Sequence, residues 1–368
     1  MKAYIFTSYY YPHVGGVERY VMGLTKYLGK HGIKSVVITC NTNAVGRSEK
    51  YHGVGIMRLD CWHILNGTYP VPKLNKNNIR LIFGIETSCD DVIITNTRFS
   101  VVNLFAFIVR KKNGIKLIHI EHGNSHVTPP GLMARILFHM ADHALGRLVA
   151  TRSSLCIAIS RRGKEFIRHI GARKVVYIPN SLDMEEWLPS RGSKRKHQVI
   201  YVGRISSDKG LEYLIGGFKA FNNGKYKLLI VGEGAYRKTI EQACLENIYF
   251  LGNKNVNQIR ILLSQSEVFV NPSLREGLPT SVLEAVSQYT PVIATDVGGT
   301  CDIISRKSGY LIEKKSSEAI AQSLYQIVND RKSAHRRARQ AYKNLVDNFS
   351  WERNIKKIIK LLIAKLND

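Results

Sequence analysis

The chain has 368 residues, 44% apolar and 22% charged, a composition that suits a globular protein with room for two domains. Its longest apolar stretch, 101–109, is far short of the roughly 18 residues that a membrane span needs, and the N-terminal run ending near Tyr9–Pro12 is too short for a secretory signal. The net charge of +26 is not a tail, because residues 1–188 hold 25 Lys+Arg against 12 Asp+Glu and the remainder holds 29 against 16.

A field of that strength attracts polyanions, whether nucleic acid, an anionic bilayer or phosphorylated substrates. No helix-turn-helix, zinc-finger, RRM or KH signature is visible, so nucleic acid is the weaker option. Cys40, Cys61, Cys89, Cys156, Cys244 and Cys301 follow no CxxC or ligand spacing. They read as free thiols of a reducing cytosol.

Taken in order, residues 3–8 read as a short buried strand. It runs into Tyr9-Tyr10-Tyr11-Pro12-His13-Val14-Gly15-Gly16, after which Val17, Tyr20, Val21, Leu24, Tyr27 and Leu28 recur at helical spacing. Strand, glycine turn and helix is how a βαβ unit begins. Gly15 and Gly16 let backbone approach a ligand at the helix N-terminus, although a plain tight turn uses the same residues. The third glycine of a dinucleotide fingerprint is absent. Further strands are expected at 35–40, 55–59, 91–96, 116–120, 155–159 and 174–178, with helices at 100–112, 132–147 and 161–170 between them. This alternation predicts a mostly parallel sheet with helices on both faces, whose ligands bind beyond the carboxyl ends of the strands. His122 directly follows the strand 116–120 and is expected in that crevice; a structural histidine at a strand end is the plainer alternative.

The stretch 188–197 is polar, basic and free of apolar periodicity, as a linker would be. Strand–helix alternation then restarts, with strands expected at 198–202, 227–231, 249–251, 268–270, 291–295 and 310–312. The first of these ends in the glycine-bounded loop from Gly203-Arg204 to Lys209-Gly210. Two cations at a strand's carboxyl end suit a diphosphate, and would stabilise one as a leaving group; ordinary surface charge is the alternative. In the stretch from Arg275 to Ala285, Glu276 stands in a loop and Glu284 about one and a half turns inside a helix from Leu278, with Pro279 in its first turn. The free N–H groups at that helix start can bind an anion, so two acids beside an anion site suggest a sugar held with its phosphate. A capped helix with two solvated acids fits the segment equally. Residues from 316 on read as helical, the last helix having Trp351, Ile355, Ile358, Ile359, Leu362 and Leu366 on one face and Lys356, Lys357 and Lys360 opposite. Such a helix packs on its own protein or lies on a membrane.

Gly203-Arg204 to Lys209-Gly210, Gly232-Glu233-Gly234, Asn271-Pro272-Ser273 and Glu276-Gly277-Leu278-Pro279 to Glu284-Ala285 together resemble the retaining glycosyltransferases of family 4. Gly15-Gly16-Val17-Glu18, Pro179-Asn180-Ser181, Pro291-Val292-Ile293-Ala294 and Phe349-Ser350-Trp351 extend the likeness over nearly the whole chain. Pro179-Asn180-Ser181 departs from the family's usual Asn-Gly. The resemblance implies the α/β GT-B fold, two Rossmann-like doubly wound domains facing across a cleft. Residues 1–188 would bind the acceptor and 189–348 the nucleotide sugar, while 349–368 would form a helix packing back on the N-terminal domain.

The resemblance also implies roles. Glu284 would hold the ribose hydroxyls; Glu276, with Gly277, Leu278 and Pro279, the donor sugar and its phosphate; Arg204 and Lys209 the diphosphate. Gly15 and Gly16 would bring backbone amide to that diphosphate, and His122 would stand near the reacting sugar. Domain closure would exclude water, and same-face attack would retain configuration; Glu276 as a nucleophile stays open. No Asp-x-Asp motif is visible, so neither metal nor cofactor is expected. With the charge of +26, the expected acceptor is a saccharide, lipid-linked at the anionic inner face of the cell membrane, in surface polysaccharide or glycolipid synthesis. A soluble small-molecule acceptor and a nucleotide-sugar epimerase are the alternatives, and a nucleic-acid binder the weakest.

Overall fold

The apolar runs become the strands of two separate sheets, each with its own helices. The computed structural model describes every residue except 14, 44, 65–68, 127–130, 191–195, 222–223, 243–245 and 365–368. Two compact units result: Met1–Asn180 with Trp351–Asp368, and Ser181–Ser350. The division falls at Asn180 rather than at 188, because the following segment is fastened to the second unit. The Leu182 N–H donates to the Phe349 carbonyl at 2.7 Å, Trp187 is buried, and the Ser190 N–H donates to Gln288 Oε1 at 2.9 Å. The middle of the expected linker, 191–195, and Cys244 lie outside the described residues.

In the first unit, β1 (Lys2–Phe6) leads through the glycine turn to α1 (Gly16–Lys30) and β2 (Lys34–Cys40). Next come β3 (Ser48–Tyr51), β4 (Val54–Leu59), β5 (Cys61–Ile64), β6 (Tyr69–Pro72), α2 (Lys76–Phe83), β7 (Val92–Asn96), α3 (Val102–Asn113) and β8 (Lys116–Glu121). The helix expected at 132–147 is divided and longer: α4 (Leu132–Ala141), a π-helical turn (Asp142–Gly146) and α5 (Arg147–Arg152). β9 (Leu155–Ala158), α6 (Arg161–Ile170) and β10 (Val175–Tyr177) complete the run. The sheet order is β10-β9-β8-β7-β1-β2-β4-β3, parallel except for β3, which runs antiparallel to β4. β5 and β6 pair as a separate hairpin. Tyr4, Phe6, Ile93, Phe105 and Leu117 bury one face of the sheet against α3.

The second unit contains β11 (Lys196–Val202), α7 (Leu211–Phe221), β12 (Lys227–Val231), α8 (Arg237–Gln242), β13 (Ile248–Gly252), α9 (Val256–Gln265) and β14 (Ser266–Asn271). It continues with α10 (Thr280–Ser287), β15 (Val292–Thr295), α11 (Thr300–Ile303), β16 (Tyr310–Ile312), α12 (Ser317–Asn329) and α13 (Arg331–Asn348). Its sheet is parallel throughout, ordered β13-β12-β11-β14-β15-β16. Counted from its own first strand this is the 3-2-1-4-5-6 order of doubly wound dinucleotide-binding sheets. Tyr201, Leu214, Phe218, Ile230, Val270, Ile320 and Leu324 form its core.

The chain then returns to the first unit as α14 (Trp351–Ile363), which packs on α1. Trp351, Ile355, Ile358 and Leu362 are buried while Lys356, Lys357 and Lys360 are exposed, so the apolar stripe is spent on the protein itself. Leu366 lies outside the described residues. Trp351 stacks on Tyr27 with ring centroids 5.8 Å apart. Gly23 makes room for it, because a Cβ there would overlap the indole. Trp351→Ala should therefore cost about 3–5 kcal/mol, the usual loss for a buried large aromatic, read as an earlier urea transition of the first unit.

Candidate active site

Sheet order locates the place to look. Where the order of a doubly wound sheet reverses, the loops leaving two neighbouring strands part and open a crevice at their carboxyl ends. In the second sheet the reversal lies between β11 and β14. The loop after β11 carries Arg204 and Lys209, and the loop after β14 carries Glu276.

Lys209 Nζ lies 2.8 Å from Glu276 Oε1, both side chains largely buried. Ser273 Oγ is 2.7 Å from the same carboxylate oxygen and 2.6 Å from Asn271 Oδ1, so its hydroxyl bridges the strand end to the acid. The loops are also tied through backbone: Leu274 N–H donates to the Asp208 carbonyl at 2.8 Å, and Gly299 N–H to the Gly277 carbonyl at 2.8 Å. Thr295 Oγ1 donates to the Ser273 carbonyl at 2.5 Å, drawing the end of β15 into the group. Gly210 has φ +62°, and a Cβ there would overlap the Pro272 carbonyl, which is how the two loops come this close. Arg204 is exposed, its carbonyl accepting from the Tyr201 hydroxyl at 2.9 Å.

Pro279 is not in the first helical turn, as expected from sequence, but at the N-cap with φ −73° and ψ 105°, and α10 starts at Thr280. An extended ψ at the proline delays the helix by one residue beyond it. Glu284, 3% exposed, is thereby about one turn in rather than one and a half. Gly277, Leu278 and Pro279 form the approach to the helix, Leu278 and Pro279 buried. The second unit thus brings together Lys209, Glu276 and the 277–279 backbone, with Arg204 on the same loop as Lys209.

The first sheet reverses between β1 and β7. Gly15 caps α1 in extended backbone and Gly16 is its first residue. A Cβ on Gly15 would meet the Glu18 carboxylate, which pairs with His13 at 3.5 Å. Gly16 has open space where a Cβ would stand. His122 follows β8 as read from sequence: its Nε2 lies 3.1 Å from Asn96 Oδ1, at the end of β7, and its ring meets Tyr20 of α1 edge-on, centroids 4.9 Å apart. Burial pushes the His122 imidazole down to about 4, Glu121 opposing only in part. His122 is therefore neutral near pH 7. With Asn96 Oδ1 accepting, Nε2 carries the proton and Nδ1 offers a lone pair.

Sequence reasoning does not single out the buried network beside it. Arg98, 2% exposed, donates from Nη1 to Glu121 Oε1 at 2.8 Å and from Nε to Asp142 Oδ1 at 2.5 Å. Glu121 also receives the Gly123 N–H at 2.6 Å and lies 3.3 Å from His119 Nε2. Burial alone would raise the Glu121 carboxyl, but Arg98, His119 and the Gly123 N–H hold it down to about 2. This network fixes the loop that bears His122. Its one sequence signal is the His119 and Glu121 pair two residues apart in β8. Ser273 and Asn271 lie in a motif that sequence alone gives no role, and Tyr20, whose buried hydroxyl has no partner among the described residues, reads from sequence only as core.

Two doubly wound units, one with a paired lysine and carboxylate at its switch point, are the architecture of the GT-B fold. The sequence profile described as Glycosyltransferase Family 4 matches residues 14–186, and that described as Glycosyl transferases group 1 matches 183–344. The chain belongs to the family 4 type of GT-B glycosyltransferases. It is 26% identical to an uncharacterized glycosyltransferase of Methanocaldococcus jannaschii, covering 100% of this chain and 99% of that one. It is 23% identical to a component of the human phosphatidylinositol N-acetylglucosaminyltransferase, over 95% of this chain and 73% of the relative. In fold it matches the Anabaena protein HepE solved in complex with UDP-glucose, with a TM-score of 0.76 at 17% identity, covering 98% and 99% of the two chains.

The Glu121 network carries a pH signature. A carboxyl lowered from 4.5 to about 2 adds stability that is complete above 4.5 and lost as pH falls toward 2. Down to pH 3 the loss should be about 2 kcal/mol, because about 1.5 of the roughly 2.5 pH units between the two values are traversed by then. Urea unfolding between pH 7 and pH 3 should show this decline in the first unit, and Glu121→Gln should start less stable and flatten it.

Proposed function

We propose that this chain is a retaining, metal-independent hexosyltransferase that moves a sugar from a nucleotide-sugar donor to a lipid-linked saccharide in polysaccharide or glycolipid synthesis. The observation that carries the reading is the Lys209–Glu276 pair at the switch point of the second sheet, four residues before α10 begins. Lys209 and Arg204 supply fixed positive charge, and the first N–H groups of α10 supply donors, for a diphosphate that gains charge as it leaves. Glu284, buried on α10, holds the ribose, and Glu276 orients the donor sugar. Because Glu276 Oε1 is already engaged by Lys209 and Ser273, that carboxylate is a positioning group and a poor nucleophile. This favours same-face attack, the departing phosphate taking the acceptor's proton. Neutral His122 serves as a hydrogen-bonding partner for sugar hydroxyls, with Gly15 and Gly16 offering backbone amide.

The UDP-glucose bound by HepE supports a uridine diphosphate sugar as the first donor to test, and the phosphatidylinositol named for the human relative supports a lipid acceptor. Among the described residues no helix is long and apolar enough to cross a membrane. On α4, however, Leu132, Met133, Ile136, Leu137 and Met140 are all exposed, five apolar side chains on a chain of net charge +26. Such a helix supports peripheral docking on the anionic inner face of the cell membrane.

Incubation with labelled UDP-glucose or UDP-N-acetylglucosamine and a lipid extract should move label into the organic phase, with the product keeping the donor's anomeric configuration by NMR. Added Mg2+ or Mn2+ should not raise the rate, Glu284→Ala should raise the donor KM, and Lys209→Ala should lower kcat about 10²–10³-fold. Transfer only to water-soluble acceptors would refute the lipid assignment, and an inverted product the retaining one.

A further inference from the structure

One helix of the first unit lacks an apolar anchor. None of the described side chains of α4 is buried, and Phe138, half-buried, meets Phe99 only at a 6.3 Å centroid separation. A ten-residue helix with so little burial is not held by hydrophobic packing. At its C-terminal end, however, a group of imidazoles gathers.

His139 and His143 are four residues apart, so they project from the same side of the helical run, and their Nε2 atoms are 3.1 Å apart. His126, from the loop after β8, joins them, its ring centroid 4.7 Å from His139 and 5.6 Å from His143. Nitrogens of the three rings lie within 4.8 Å of one another. Two imidazole nitrogens on one tetrahedral ion at roughly 2.0–2.1 Å stand a little over 3 Å apart, near the separation seen.

The surroundings suit a ligand set more than a chance cluster. Asp142, 0% exposed, accepts from His126 Nδ1 at 2.7 Å through Oδ2 while its Oδ1 is held by Arg98. A buried carboxylate on Nδ1 fixes the tautomer that leaves Nε2 with its lone pair free for an ion. With Arg98 offset by Glu121, Asp142 leaves the buried side of the site one negative charge in favour of a cation. An imidazole-only set suits zinc and its late first-row neighbours, not magnesium or calcium.

We propose that His126, His139 and His143 bind a divalent transition-metal ion that fastens α4 to the loop bearing His122. Three protein ligands leave a fourth position for water. The ion is structural and belongs to the first unit, apart from the Lys209–Glu276 cluster, so it is independent of the metal-independent transfer proposed above. The alternative is a simple imidazole–imidazole hydrogen bond between His139 and His143, which needs no ion.

The untagged full-length chain, stripped with chelator and dialysed, is titrated with Zn2+ against a chromophoric zinc indicator and separately with Co2+. One Zn2+ per chain and visible Co2+ bands of a four-coordinate nitrogen site are expected. Both should be lost in His139→Gln and in His143→Gln, whose exposed positions leave melting of the metal-free protein unchanged. Zinc should also slow proteolysis within α4 in the wild type only. Equal zinc uptake by the wild type and the His139→Gln/His143→Gln double variant, or no uptake by either, overturns the proposal.

Discussion

Reversal of strand order in a parallel sheet is the constraint on which the donor site depends. β11 has its sequence successor β12 on one side and β14 on the other, so the loops that leave β11 and β14 part at the same edge. The chain fills that opening with charge. Lys209 comes from one loop and Glu276 from the other, and the glycine at 210 lets the loops touch through backbone. The ion pair is therefore a consequence of topology as much as of residue choice. Moving Lys209 to another strand end would leave Glu276 with Ser273 but without its cation.

The first unit reaches comparable rigidity by another route. A fully buried Arg98 joins two strand and helix elements through Glu121 and Asp142. Burying three charges is costly, and such a network is favourable only when every donor and acceptor is met. Here the Gly123 N–H, the Ser125 carbonyl and His126 complete the set. What this arrangement secures is placement: Glu121, Gly123, Ser125 and His126 are held within one hydrogen-bonded group, and the neutral His122 between them reaches Asn96.

Much of this was legible in the chain itself. The parallel strands were readable because both of their faces are buried, which writes them as continuous apolar runs such as Val92–Asn96 and Lys227–Val231. β3 and the β5–β6 hairpin were not, since SEKY and CWHI are short, largely exposed and without apolar alternation. The division of the expected helix 132–147 was also hidden, because helical periodicity does not register one wider turn at Asp142. In the site, Glu276, Glu284, Arg204 and Lys209 announced themselves by charge beside glycine and proline. Arg98, Asp142 and the histidines around His126 did not, because their partners are distant in sequence and only the fold assembles them.

The central claim is that the second unit grips a nucleoside diphosphate through Lys209 and the start of α10. Isothermal titration of UDP into the wild type and into Lys209→Met tests it most directly. The account predicts saturable one-to-one binding by the wild type, weakened tenfold or more in the variant, about 1.4 kcal/mol. Undiminished UDP affinity in Lys209→Met, with Glu284→Ala likewise unchanged, would contradict it.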